Sequence, residues 1–324
     1  MILNLENIKS ITKGALSVGE ADGRFFFERF TEEQKSFYRQ ANERSGVRTE
    51  ANASIVLDFY TSSESLAFDI EMDQLNYMVS DSMFVDIWED DMMIAHIGNH
   101  CKKFLRVSVN LPLSKGEKRV RIYLPSIFRS TLSELTLDDG ATIRATGGRS
   151  ALILGDSITQ GHDVFHPSLS YANTLIRDLE LNAVNQAIGG EVFRVGALGS
   201  TPLFNPEIIT VAYGTNDWVS GINLDEARAY FKKLTELYPT AKIFYISPIW
   251  REGGDRVVCG FSFEEACAEL KSIAKDAGLI LIDGDKIMPH MPEMYGDGLH
   301  PNDFGHTQYS KNLLKALAEN GVNS

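Results

Sequence analysis

The hydrophobic period of this chain changes once, near Asp138, and no other feature constrains the fold as much. Residues 50–138 alternate with a period of two. The runs Ser54–Tyr60, Ser65–Met72, Met83–Trp88, Lys103–Asn110 and Lys118–Leu124 are rich in β-branched and aromatic residues. Polar or glycine turns such as Thr61-Ser62-Ser63, Gly98-Asn99 and Ser114-Lys115-Gly116 separate them. Successive side chains of a strand point to opposite faces, so each run has one face to bury. Several such runs at short spacing predict an antiparallel, jelly-roll-like sandwich. Thr31–Asn42 fits either a helix or a polar loop.

Beyond the glycine-rich junction around Gly140 and Gly147-Gly148, strand-like and helix-like segments alternate. Ala151–Leu154, Ala183–Val184, Ile208–Tyr213, Lys242–Ser247 and Leu279–Ile282 are apolar runs of strand length. Ser170–Leu181 has helical spacing, and Leu224, Ala227, Tyr230, Phe231 and Leu234 share one helical face. Ser262 and Glu265 form a capping box before a helix that ends near Gly278. A last helix starts near Asn302 or Asp303 and ends before Gly321. Strands alternating with helices predict a mostly parallel sheet covered on both faces. The predicted fold is therefore α/β: a three-layer α/β/α domain over 146–324, preceded by an all-β sandwich over 1–145.

Composition narrows the function classes. The 324 residues fit about two domains. A net charge of −13 makes the chain a poor partner for nucleic acid or an anionic membrane. Cys101, Cys259 and Cys267 are odd in number and form no C-x-x-C pair, which argues against a disulfide framework or a cysteine-rich zinc site. They read as buried small hydrophobes. No stretch approaches the roughly 18 apolar residues of a membrane span. The first residues lack a basic region followed by an apolar core, so a cytoplasmic protein is expected, with the sequon at Asn52 a coincidence. Self-association is compatible with the sequence, but no segment marks an interface.

The polar residues at the carboxyl ends of the predicted parallel strands form one set, because ligands of open α/β sheets bind there. They are Gly155-Asp156-Ser157-Ile158-Thr159, Asn185-Gln186-Ala187-Ile188-Gly189-Gly190 and Gly214-Thr215-Asn216-Asp217-Trp218, together with Asp297-Gly298-Leu299-His300 before the last helix. Alone, each reads as a turn or a helix cap. Together their residue types suit acyl transfer to water. A serine hydroxyl needs a base to take its proton, and His300 is a candidate. A carboxylate holds the imidazole in one tautomer, and Asp297 lies three residues away. The oxyanion formed on attack needs preorganised donors. The N–H groups of Ser157 and Gly190 and the amide of Asn216 can supply them.

These four blocks resemble those of the SGNH hydrolases, also called GDSL-type esterases, over roughly residues 150–320. The resemblance implies Ser157 as nucleophile, His300 as base, Asp297 as orienting acid, and Ser157, Gly190 and Asn216 as the oxyanion hole. It implies no cofactor and no metal. The G-x-S-x-G elbow of the α/β-hydrolases is absent, since Thr159 replaces its second glycine. A sandwich before such a domain is similar to the layout of some carbohydrate esterases. That points to a short-chain, acetyl ester of a sugar or oligosaccharide as substrate. The alternatives are a lipase, thioesterase or acyltransferase acting on another small acyl ester, or an inert carbohydrate-binding protein.

Other residues are weighed at the same edge. Trp218 and Trp250 suit a sugar-stacking or acyl wall as well as core packing. His162 and His166 read as solvent-exposed loop residues. Asp156 reads as a local backbone acceptor, Asp217 as a structural residue that fixes the Asn216 loop, and Arg251 as half of a surface salt bridge. Asp297, His300 and His306 match no standard zinc spacing. The acidic run Phe84–Asp91 reads as a solvated sheet edge.

Overall fold

The structure, a computed structural model, describes residues 1–75, 81–101 and 103–323. Its N-terminal part stacks two antiparallel sheets. One runs in the order Thr12–Lys13, Val56–Thr61, Lys118–Tyr123, Ser82–Glu89 and Met92–His100, with Ile143–Ala145 also paired to Val56–Thr61. The other runs Ser17–Ala21, Arg24–Glu28, Arg129–Leu137, Ser65–Asp73 and Phe104–Pro112. Leu66, Phe68, Ile70 and Met72 of the second sheet point inward on alternate residues. They meet Leu57, Phe59, Ile87 and Ile122 of the first in one apolar core. This is the expected sandwich.

Some of its elements differ from expectation. Residues 17–28 form a hairpin whose turn, Asp22-Gly23, has φ of 51° and 72°. A two-residue turn with both φ positive matches the twist of paired strands. Thr31–Asn42 resolves as the helix Glu32–Ala41, because Thr31 and Gln34 make a reciprocal capping box. Ser82–Glu89 is not a solvated edge. It pairs on both sides, and its Asp86 is fully buried, accepting from the N–H and hydroxyl of Ser168. Asn52 is buried too, with its Oδ1 held by Ser130.

The C-terminal part is a five-stranded, all-parallel sheet. Its order is Leu181–Asn185, Arg149–Gly155, Ile208–Ala212, Lys242–Ile246 and Ile280–Ile282. Ala151 and Ile153 pack on one side with Leu175, Ile176 and Leu313 of the helices Tyr171–Asp178 and Asp303–Glu319. Leu152 and Leu154 pack on the other with Phe231 and Leu270 of Leu224–Leu237 and Phe263–Asp276. The predicted three layers are present. In chain order the second strand of this sheet, Leu181–Asn185, lies on one side of Arg149–Gly155 and the third, Ile208–Ala212, on the other, so the order of winding reverses there. The loops leaving the carboxyl ends diverge at that point and open a crevice.

Candidate active site

Ser157 opens the helix Ser157–Gln160 directly after the first strand, with Asp156 as N-cap accepting from the Ile158 N–H. That short helix aims the serine hydroxyl at the crevice. Opposite it, the loop before the last helix is closed by the Gly296 N–H donating to the His300 carbonyl at 2.8 Å. Asp297 Oδ1 accepts from the N–H groups of Leu299 and His300 at 2.9 and 2.8 Å. Gly298, at φ 79°, makes the reversal. A β-carbon there would lie 2.4 Å from the Glu252 carboxylate and would strain the turn.

These loops bring three residues into line. Ser157 Oγ lies 2.8 Å from His300 Nε2, and His300 Nδ1 lies 2.8 Å from Asp297 Oδ2. The Asp297 carboxylate accepts only, so it assigns the ring proton to Nδ1 and leaves Nε2 to accept from the serine hydroxyl. Burial lowers the His300 pKa below 6.5, the neighbouring His162 adds to this, and Asp297 opposes it. Burial also works to raise the Asp297 carboxyl. The backbone and ring hydrogen bonds from His300 outweigh it and hold the group below its ordinary value.

Two further candidate residues follow the neighbouring strands. Gly190, at φ 79°, is exposed at the end of the segment that follows the second strand. Its N–H has no hydrogen-bond partner among the described residues, whereas the Gly189 N–H is spent on Gln160 Oε1 at 2.7 Å. Asn216 lies in the first turn of Thr215–Ser220, after the third strand. Its Nδ2 faces the Glu191 carbonyl at 3.1 Å and Asp156 Oδ2 at 3.4 Å. Behind these donors lie three buried acids. Burial raises Asp156 and Glu191 to about 7 and Asp217 to about 6.

Several neighbours differ from expectation. Trp218 is fully buried, its indole N–H donates to the Phe261 carbonyl, and its ring packs on Phe263, so it is core and not a wall of the crevice. Trp250 lines a cavity of about 540 Å³ with Arg251, Glu252, Lys271, Asp285 and His290. His162 is not a solvent-exposed side chain: it is 13% exposed, and its ring lies 4.3 Å from that of His300 at a tilt of 31°. His166 pairs with Asp303 and packs on His96 of the sandwich. Arg251 makes no ion pair among the described residues; it donates to Thr215 Oγ1 and lies over Trp218. Asp156 does accept from local backbone, at Ile158, whereas Asp217 accepts from the N–H of Phe193 in the loop after the second strand.

His306 is buried away from any such triad. Its Nδ1 accepts from the Tyr171 N–H, and burial lowers its pKa to about 3. Among the described residues, His162, Asp163 and His300 bring ligating atoms within 4.8 Å of one another. Two of the three, His162 and His300, have rings 4.3 Å apart and tilted by 31°, and His300 is already engaged by Ser157 and Asp297. Cys267 is buried, but Cys101 is half-buried and Cys259 is exposed in a turn, so the cysteines are not uniformly core. No helix of the described residues is long and apolar enough to cross a membrane.

Residues that sequence reasoning passed over lie under the Gly190 segment. Arg29 and Arg48, both buried, donate to its carbonyls from the N-terminal part. The only signal was their place in a charged stretch around Thr31–Asn42.

Residues 153–308 match the GDSL-like Lipase/Acylhydrolase family. No curated protein matches the sequence. Among solved structures, a salicylyl-acyltransferase from a tetracycline biosynthetic pathway superposes with a TM-score of 0.75 at 18% identity, covering 96% of this chain and 94% of that one. A protein described as a GDSL-like lipase, from Bacteroides ovatus, gives 0.76 at 18% identity, covering 97% and 96%. An acetyl xylan esterase from the rumen bacterium Butyrivibrio proteoclasticus gives 0.63 at 16% identity, covering 99% and 98%. These structures share the two-part fold.

Proposed function

We propose, on the match of residues 153–308 to the GDSL-like lipase/acylhydrolase family, that the protein is a serine esterase that removes short acyl groups, acetyl foremost, from a carbohydrate. The observation that carries the reading is the unbroken line Ser157–His300–Asp297, with both contacts at 2.8 Å.

His300 Nε2 takes the Ser157 proton as Oγ attacks the acyl carbon. The carbonyl electrons move onto oxygen, and the N–H groups of Ser157 and Gly190 receive the charge. Asn216 joins them by exchanging its long contact with Asp156 for the oxyanion. One such donor is worth roughly 10²–10³ in rate. The intermediate collapses, the C–O bond to the alcohol breaks, and His300 returns its proton to that oxygen. Water then repeats the sequence on the acyl-serine and releases the acid. Asp297 keeps its charge throughout and stabilises the imidazolium.

The alcohol half of the ester fits the cavity beside Trp250. Its floor lies past the carboxyl ends of Lys242–Ile246 and Ile280–Ile282, and Glu252 on its rim is tied by its N–H to the Gly298 carbonyl. Five carboxylates line it against Arg251 and Lys271, so it favours a neutral polyol over a phosphorylated or uronic alcohol. The acetyl xylan esterase with the same fold supports a sugar. The acyltransferase neighbour supports a second reading, in which an alcohol replaces water as acceptor.

The test is p-nitrophenyl acetate hydrolysis by wild type and Ser157→Ala, beside a panel of acetylated neutral and uronic sugars. Turnover is expected in the wild type and a loss of about 10³-fold or more in the variant, with an unchanged circular dichroism spectrum. No turnover by the wild type, or full turnover by Ser157→Ala, overturns the reading.

A further inference from the structure

The oxyanion donor at Gly190 sits in a segment without regular structure, so something outside it must hold it. Residues 185–190 follow the second strand, and their carbonyls turn toward the N-terminal part of the chain. Arg29, fully buried, donates through Nη1 to the carbonyls of Asn185 and Ala187. The Gln186 side chain donates to the Arg29 carbonyl at 2.7 Å and pairs with Gln34. Arg48 ends the helix Glu43–Arg48, is 3% exposed, and donates through Nη1 to the Gly189 carbonyl.

The Arg48 contact differs from the others because of the peptide it touches. A peptide unit is planar and trans, so its C=O and its N–H point in opposite directions. The Gly189 carbonyl and the Gly190 N–H belong to one such unit. A guanidinium fixed on that carbonyl fixes the direction of that N–H, on the side of the peptide away from the arginine. It also polarises the unit, because a cationic donor on the oxygen strengthens the N–H as a donor in turn. The glycines make the approach possible: a β-carbon on Gly189 would lie 3.1 Å from Arg48 Nη1, and one on Gly190 3.5 Å. Two glycines are otherwise the least constrained pair in any loop. Burial lowers the Arg48 pKa only to about 10, so the side chain keeps its charge at neutral pH.

We propose that Arg48 is a positioning residue for the reaction: it aims and polarises the Gly190 N–H, so the oxyanion hole is completed by a side chain from the N-terminal part of the protein. The inference rests on the esterase reading above. It gives that part a role in the chemical step rather than in carbohydrate capture alone.

The experiment compares full-length wild type, Ser157→Ala, Arg48→Ala and Arg48→Lys on p-nitrophenyl acetate, with and without added guanidinium at a non-denaturing concentration of tens of millimolar. Arg48→Ala should lower kcat by roughly 10–100-fold, less than the full loss of a donor, and leave KM within about twofold. Guanidinium should restore part of that kcat and should not restore Ser157→Ala. Arg48→Lys, which keeps a charged donor on a different geometry, should fall between wild type and Arg48→Ala. Loss in Ser157→Ala with a wild-type kcat in Arg48→Ala overturns the proposal while leaving the esterase reading intact. So does a loss in Arg48→Ala that tracks a lowered Tm, is shared by Arg48→Lys and does not respond to guanidinium, since that is a folding role. Should Arg48→Ala not fold, the kcat of Arg48→Lys decides: unchanged kcat overturns the proposal, and a fall at constant Tm and KM supports it.

Discussion

In the sandwich, Asp58 is 4% exposed and is gripped by Arg119 at 2.7 Å through both carboxylate oxygens and by Lys13 at 3.0 Å. In the parallel-sheet part, Asp156, Glu191 and Asp217 are buried as deeply, at 3%, 1% and 5% exposed. Among the described residues, their one ion-pair partner is Arg194, on Glu191. The two settings move the same kind of carboxyl in opposite directions. Burial works to raise Asp58, but Arg119 and Lys13 outweigh it and hold the group below its ordinary value. Burial wins at the other three, and at Asp156 and Glu191 like-charged neighbours add to it, so they sit near 6 to 7. Depth alone therefore does not decide the charge of a buried acid; the presence of a cation with hydrogen-bond geometry does. The paired acid ties the two parts together, since Arg119 also holds Glu180 at 2.7 Å. Asp156 and Asp217, which have no ion-pair partner among the described residues, and Glu191, whose carboxylate gains no hydrogen bond from Arg194, lie near the candidate oxyanion donors, where a full negative charge would oppose the oxyanion.

Asp58→Asn tests the paired side and carries the largest expected effect. It leaves Arg119 and Lys13 buried against a neutral amide, which costs about 3–5 kcal/mol when one partner of a buried pair is removed. Urea unfolding at pH 7 measures it. The sign follows from the lowered pKa: the stabilisation is present above the ordinary carboxyl pKa and is lost as pH falls through the folded value. A loss below about 1 kcal/mol would mean that Arg119 satisfies itself on Glu180, and the contrast with the other acids would break.

Asp156→Asn tests the unpaired side, and its effect is smaller and of opposite sign. With the folded pKa raised to about 7, the folded protein holds a proton that the unfolded chain has lost. That contribution is complete below about pH 4 and disappears as pH rises through 7. Asparagine removes it. The fall in stability between pH 5 and pH 8 should shrink by about 2 kcal/mol relative to wild type, read from Tm or urea midpoints at the two pH values. An unchanged pH dependence would mean that Asp156 is already ionised at pH 5, through a partner such as Asn216.

Legibility in the sequence followed the same division. The sandwich was readable where one face is buried: Ser65–Asp73 alternates without a fault, and its run was visible as strand. Met92–His100 was not, because it lies at the margin of its sheet, half-buried along most of its length, and so has no alternation to detect. The Asp22-Gly23 turn and the Thr31–Gln34 capping box were local signals that could have placed the first hairpin and helix. In the parallel-sheet part, Ser157, Gly190, Asn216, Asp297 and His300 could be singled out because glycine and chemistry-bearing residues punctuate apolar strands. What could not be read was anything that needs three dimensions. Arg29 and Arg48 lie in a stretch whose charges look solvated. Only the packing of the two parts turns them inward, onto the carbonyls of Asn185, Ala187 and Gly189. His162 follows a glycine in a loop, and nothing local places its ring on His300.

That ring supplies the finest test of how neighbours set charge. In the sandwich, His96 faces a buried carboxylate, with its Nδ1 2.7 Å from Asp86. In the site, His300 faces Asp297 on one side and the His162 ring on the other, with Asp163 beside that ring. Burial and the like charge of His162 lower its pKa against the pull of Asp297 and Asp163. A base must be neutral to act, so kcat/KM should fall on the acid side with a midpoint below 6.5. His162→Gln removes the like charge and keeps a polar side chain of similar reach. The midpoint should then move up, toward 6.5, while the rate at pH 8 stays within about twofold. The direction carries the argument. A midpoint that stays put would leave burial as the sole cause, and one that moves down would mean that His162 supports the imidazolium, reversing the reading of the two neighbouring rings.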